Sequence, residues 1–118
     1  MVGRFVQETG FDGCDNLLRR GGRVTFVDHK VALEQLDDVF ALFLASGRHQ
    51  LPIHPDAFKT ASRAARRLMP AERDQASLAT LFRQILRESP YLESVLRNMT
   101  ECGLLGRYLP TYGSVVGK

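Results

Sequence analysis

Four apolar stripes at helical spacing run between Asp28 and Gly103, and glycine or proline interrupts the chain between them. A stripe that repeats every three to four residues gives a helix one face to bury, so most of this chain is committed to helices around a shared core. The first stripe, with Val31, Leu36, Val39, Phe40, Phe43 and Leu44, predicts a helix from the N-cap Asp28 to about Ala45, ended by Gly47. The second starts at His54-Pro55-Asp56, where Pro55 suits the first helical position and Asp56 the positive end of the helix dipole. Its face is Ala57, Phe58, Ala61, Ala64, Ala65 and Leu68; the alanines permit close approach of another helix, and Pro70 stops it. A third helix is predicted from about Glu72 to Arg87, with Leu78, Leu81, Phe82, Ile85 and Leu86 as its stripe. Ser89-Pro90 restarts the chain, and a fourth helix carries Leu92, Val95, Leu96 and Met99 and ends at Gly103. Short connections favour antiparallel neighbours. The expected fold class is therefore all-α, an antiparallel helical bundle of about four main helices.

The two ends read differently. Residues 1–27 are expected to be irregular, because Gly10, Gly13, Gly21 and Gly22 break any long element. Within them Arg23 to Val27 reads as a short strand, with a partner between Arg4 and Gln7. Such a two-stranded ribbon is marginal alone and must lie on something larger. Residues 28–103 form the bundle, and residues 104–118 read as a linker into another domain. Gly106, Pro110, Gly113 and Gly117 punctuate that tail, and Tyr108, Leu109, Tyr112, Val115 and Val116 are expected to expose an apolar surface able to mediate self-association.

Composition narrows the function classes. The 118 residues are 44% apolar and 25% charged, as in one soluble globular domain. Sixteen Lys and Arg against thirteen Asp and Glu leave a net charge of only +3. The densest basic stretch, Arg63, Arg66 and Arg67, has no interleaved aromatic and reads as a solvated helix face rather than a nucleic-acid surface. Cys14 and Cys102 stand far apart without a CxxC pair, and no signal peptide or membrane-length apolar run is present. Free thiols in a cytoplasmic protein are the expectation.

No catalytic, cofactor-binding or metal-binding residue is assigned. His54-Pro55-Asp56 matches the tripeptide of J-domain co-chaperones, but the start of a helix accounts for all three residues. His49 and His54 lack a third ligand, and His29 is isolated. Gly113-Ser114-Val115-Val116-Gly117 resembles the glycine-serine turn of nucleotidyltransferases without the carboxylate pair that must follow it. The adjacent Asp37-Asp38 lies upstream on a helix, where neighbours point about 100° apart. The sequon Asn98-Met99-Thr100 falls inside a predicted helix.

Val95-Leu96-Arg97-Asn98-Met99, Gly103-Leu104-Leu105-Gly106-Arg107-Tyr108-Leu109-Pro110, Tyr112-Gly113 and Val115-Val116-Gly117 together resemble the segment before the HD domain of bifunctional PII uridylyltransferase/uridylyl-removing enzymes. Val39-Phe40-Ala41-Leu42-Phe43, Ile53-His54-Pro55-Asp56-Ala57, Leu81-Phe82 and Ile85-Leu86 resemble helices of the same region, so the likeness covers roughly residues 20 to 118. It implies a non-catalytic helical domain between a nucleotidyltransferase domain, which uses magnesium and UTP to attach UMP to the PII signalling protein, and an HD domain, which removes it. It implies a role in nitrogen metabolism, scaffolding the transferase site or presenting its substrate. The alternatives are a free-standing helical interaction module and a domain of another nucleotidyltransferase with a different substrate. Arg107, Tyr108 and Pro110 are signature positions without an implied catalytic role, and Arg107 is expected to bind a carboxylate of a neighbouring domain or face solvent.

Overall fold

A computed structural model describes residues 8–11 and 13–109, with only the backbone described at Glu8 and Thr9. Its N-terminal part is a sheet. Gly21 and Gly22 both take left-handed φ values, 59° and 78°, as the two-residue turn that best matches strand twist requires. They join β2 (Cys14–Arg20) to β3 (Arg23–Phe26), with Leu17 opposite Phe26 and Arg20 opposite Arg23. β1 (Glu8–Phe11) pairs antiparallel with the other edge of β2, with a register slip between Gly10 and Phe11. The glycines at 13, 21 and 22 thus lie in the turns of a three-stranded meander instead of preventing strands. The expected strand at Arg23 exists, but its partner is β2; the proposed partner, Arg4 to Gln7, lies outside the described residues.

β3 is buried along Val24, Thr25 and Phe26. A short extended stretch completes its free edge: Val24 N donates to Pro52 O and His54 N to Val24 O, both at 2.9 Å.

The first predicted helix is two. Asp28 caps α1 (His29–Glu34), its carboxylate accepting from the amides of Lys30 and Val31 at 2.9 and 3.2 Å. Gln35 is extended, and α2 (Leu36–His49) starts afresh with Asp37 and Asp38 in its first turn, where the dipole favours carboxylates. This break leaves Val31 42% exposed, outside the stripe it was assigned to. Nor does Gly47 end the helix. The chain continues to His49, and Gln50 closes it in the left-handed region at φ 56°. Gly47 is a contact point: a Cβ there would strike Ser89 Oγ and sit 2.9 Å from Val95 Cγ2.

α2 is the centre of the fold. Leu36 and every residue from Val39 to Gly47 are buried, because β2, β3, α1, α3, α5 and α6 surround it. α3 (Pro55–Arg66) begins as predicted, with Pro55 first and His54 Nδ1 accepting from Asp56 N at 3.0 Å. Its Ala57, Ala61, Ala64 and Ala65 are buried where it packs on α1 and α7. It stops at Arg66, and Pro70 opens the short α4 (Pro70–Arg73), where Glu72 accepts from Met69 N at 2.9 Å. α5 (Ala76–Glu88) starts later than predicted and keeps Leu78 and Ile85 fully buried, while Leu86 is 42% exposed.

The bundle expectation fails in two respects. The chain is mostly helical, but among the described residues it has seven helices and a three-stranded antiparallel sheet, so it is not all-α. The two main helices are also not antiparallel. Ser77 pairs with Asp37 at the start of both, and Glu88 with Arg48 at the end of both, so α5 runs parallel to α2. The intervening α3 makes the return, which a rule about sequential neighbours does not capture.

α6 (Leu92–Glu101) and α7 (Leu104–Tyr108) close the domain. Leu104, Leu105 and Tyr108 are buried, and the Tyr108 ring stands edge-on to Phe40 at 4.9 Å and Phe82 at 5.5 Å. Tyr108 is therefore core, not part of an exposed tail; Tyr112, Val115 and Val116 lie outside the described residues. No described helix is long and apolar enough to cross a membrane.

Candidate functional site

Parallel α2 and α5 leave a furrow between them that the β1–β2 hairpin walls on the third side. It holds two hollows of about 240 and 660 Å³ that share Gly13, Cys14, Ala41 and Leu81 in their walls. The floor is one face of α2, with Asp37, Asp38, Ala41, Leu44, Ala45 and Arg48 at helical spacing. Ala41 and Ala45 are small, which gives the floor its depth. One wall is the α5 face carrying Ser77, Thr80, Leu81 and Gln84. The wide hollow is polar and acidic, with Asp15, Asp37 and Asp38; the narrow one is mainly apolar, with Phe11, Leu17, Leu44 and Leu81, and is also lined by Arg48, His49 and Gln84.

Hydrogen bonds hold the furrow's shape. Ser77 Oγ donates to Asp37 Oδ1 at 3.0 Å, and Arg48 Nε donates to Glu88 Oε1 at 2.7 Å. Asn16 fixes the hairpin side. Its amide oxygen accepts from Asp28 N at 2.7 Å, and its amide nitrogen donates to Asp28 O at 3.0 Å and to Asp38 Oδ2 at 2.9 Å. Cys14 Sγ adds a 3.6 Å contact to Asp38 Oδ1. Sequence reasoning passed over Asn16, which looks like an ordinary polar residue in an irregular segment; only the placement of β2 against both helix starts gives it a role.

The surroundings of the two cysteines hold both as protonated thiols. Burial raises the Cys14 thiol to about 11; the hydrogen bond with the Asn16 backbone opposes this, and the Asp38 charge adds to it. Burial likewise raises Cys102 to about 11, and its Sγ donates to Met99 O at 3.4 Å. At neutral pH both are thiols, and the thiolate is the nucleophile. Asp37 and Asp38 engage different partners, Ser77 and Asn16, and no three His, Cys, Asp or Glu side chains converge among the described residues.

The remaining candidate residues have structural places. His49 packs on Phe11 with ring centres 5.2 Å apart, while His54 caps α3. His29 Nδ1 lies 2.7 Å from Thr60 Oγ1, whose hydroxyl donates to Asp56 O at 3.0 Å. With that single proton committed, His29 Nδ1–H is the donor to Thr60. Arg63, Arg66 and Arg67 are exposed. Asn98 lies within α6, where Thr100 Oγ1 donates back to Leu96 O at 2.8 Å. Arg107 donates to the Arg66 carbonyl at 3.3 Å, at the C-terminal end of α3, where unpaired carbonyls favour a cation.

Residues 18–108 match the family profile described as the third domain of uridylyltransferase GlnD. The bifunctional uridylyltransferase/uridylyl-removing enzyme of Phenylobacterium zucineum (strain HLK1) is 34% identical over 98 residues, covering 83% of this chain and 10% of that protein. The proteins of the same description from Psychrobacter cryohalolentis and Psychrobacter arcticus are each 30% identical over 98 residues, covering 82% of this chain and 11% of theirs. No solved structure gives a significant match. The chain spans about a tenth of the length of these curated relatives. With the profile spanning most of the chain, from the middle of β2 to the end of α7, this protein belongs to the family of GlnD uridylyltransferase third domains.

Proposed function

We propose that this chain is a non-catalytic domain of a bifunctional uridylyltransferase/uridylyl-removing enzyme and that it holds the protein substrate for the nucleotidyltransferase site. The observation that carries the reading is the furrow between α2 and α5, braced at both ends by Ser77–Asp37 and Arg48–Glu88, in a domain of this family. A rigid furrow orients a bound segment at little cost in order, which is how a domain remote from the chemistry contributes to a transfer reaction. In this reading the substrate is the PII signalling protein, and magnesium and UTP serve the transferase domain. An HD domain of the same polypeptide removes the UMP, and the enzyme works in the cytoplasm in the control of nitrogen metabolism.

The test uses the full-length parent enzyme with UTP, magnesium and PII. Gln84 is half-buried in the α5 wall, and Gln84→Trp places an indole in the furrow. The expected result is a KM for PII raised by about tenfold with kcat little changed, since only binding shared by ground and transition states is removed. An unchanged KM for PII would sink the presenting role. The 118-residue chain alone is expected to turn over neither PII nor uridylylated PII.

A further inference from the structure

We infer that the α2–α5 furrow takes a short extended peptide carrying a Lys or Arg side chain and, three residues along, an apolar one. This deepens the proposed function and rests on it, by naming the chemistry of the segment that the domain holds.

Two features of the furrow select that occupant. Its wide end gathers three carboxylates, Asp15, Asp37 and Asp38, in one wall-and-floor unit. Asp15 is exposed, Asp37 uses Oδ1 for Ser77, and Asp38 accepts from Asn16 at Oδ2 and from Cys14 at Oδ1. A carboxylate accepts about four hydrogen bonds, so each retains capacity for a cation. Its narrow end is mainly apolar, with Phe11, Leu17, Leu44 and Leu81 around a floor of Ala41 and Ala45; Gln84, His49 and Arg48 also line it, His49 packed on Phe11 and Arg48 paired with Glu88. The complement is a positive charge joined to an apolar group.

Spacing sets the separation of the two groups. Along α2 the step from Asp37 to Leu44 rises about 10 Å at 1.5 Å per residue. One turn of polyproline II advances about 9 Å over three residues and returns the side chain to the same side. A basic residue and an apolar residue at i and i+3 of an extended segment therefore reach both ends together. An anionic segment is excluded by the same carboxylates. The narrow hollow, about 240 Å³, admits an aliphatic side chain but not a folded element.

The probe is an acetylated, amidated hexapeptide, Gly-Lys-Ser-Ser-Leu-Gly, titrated into the uniformly nitrogen-15-labelled chain and followed by amide shifts. Two controls replace the Lys with Glu or the Leu with Ser. The expected result is saturable shifts at Cys14, Asp38, Ala41, Leu81 and Gln84, with both controls at least about tenfold weaker, the factor that reversing a charge beside three carboxylates or losing a buried aliphatic group carries. Asp15→Lys, at an exposed position, is expected to reverse the preference between the Lys and Glu peptides, and Gln84→Trp to abolish binding of each. Shifts confined to surfaces away from the furrow, equal binding of the Glu control, or an unchanged preference in Asp15→Lys would overturn the proposal, as would no saturable shift at all. If no peptide binds while Gln84→Trp still raises the parent's KM for PII, this occupant is wrong and the presenting role stands.

Discussion

Ser77 donates its hydroxyl to Asp37 at 3.0 Å, and the two residues are forty positions apart, as are Arg48 and Glu88 at the other end of the same helix pair. Equal separations at both ends mean that α2 and α5 run in the same direction, with their starts and ends aligned. The bonds are exposed or half-exposed, so their energetic weight is small. Their consequence is geometric: they fix the width of the furrow between the helices.

Removing both braces tests that distinction. Ser77→Ala with Arg48→Ala is expected to lower stability by no more than about 1 kcal/mol in urea unfolding, as exposed pairs do. Amide exchange at Ala41 and Leu81 is expected to rise by more than this global change explains. A loss of several kcal/mol would show that the braces hold the fold itself.

Gly47 and Ser89 form a coupled pair. A Cβ at Gly47 would strike Ser89 Oγ and Val95 Cγ2, so Gly47→Ala is expected to cost about 1–3 kcal/mol despite the better helix propensity of alanine. The Ser89 hydroxyl is buried without a hydrogen-bond partner, so Ser89→Ala is expected to be neutral or to stabilise by up to about 1 kcal/mol. The double variant should recover part of the Gly47→Ala loss, because one of the two colliding atoms is gone. Strict additivity in a double-mutant cycle would contradict this account.

Both cysteines make stability depend on pH at the alkaline end. Their thiols are raised from 9.0 to about 11 in the folded chain, so the folded state holds their protons where the unfolded state has released them. The contribution is complete below pH 9 and is lost as pH rises from 9 through 11. The melting temperature is expected to fall across that window, and less steeply in Cys14→Ser. Tyr108, also raised by burial, acts in the same direction. Identical slopes for the wild type and Cys14→Ser would remove Cys14 from the explanation.

Tyr108 anchors α7 through Phe40 and Phe82. Tyr108→Ala is expected to cost about 3–5 kcal/mol, as for other large aromatic truncations in a core. Arg107→Ala, which removes one exposed hydrogen bond to the Arg66 carbonyl, should cost less than about 1.5 kcal/mol. Chemical denaturation of the two variants ranks them; the reverse order would mean that α7 is held at its surface and not by its buried ring.

The chain's local chemistry determined a good part of this protein. Asp28 and Pro55 mark helix starts because the unpaired amides at a helix N-terminus need an acceptor, or a residue with no amide to satisfy. Leu78 and Ile85 reveal a buried helix face because periodicity is read over a few residues. The stretches from Val95 to Gly117, with the helices upstream of them, carry the resemblance to the uridylyltransferase family, and the match over residues 18–108 bears out that family. Other features were settled only by contacts between distant residues. Val31 and Leu36 share one periodic pattern, yet a break at Gln35 puts them on different helices. Gly47 looks like a helix stop until Ser89 and Val95 are packed against it. Gly21 and Gly22 look like breakers until β2 and β3 pair across them. Asn16 gains its partners only when β2 lies beside the starts of α1 and α2. The furrow belongs to this second class, because its walls come from β2, α2 and α5, and no local pattern records which helix faces meet or in which direction they run.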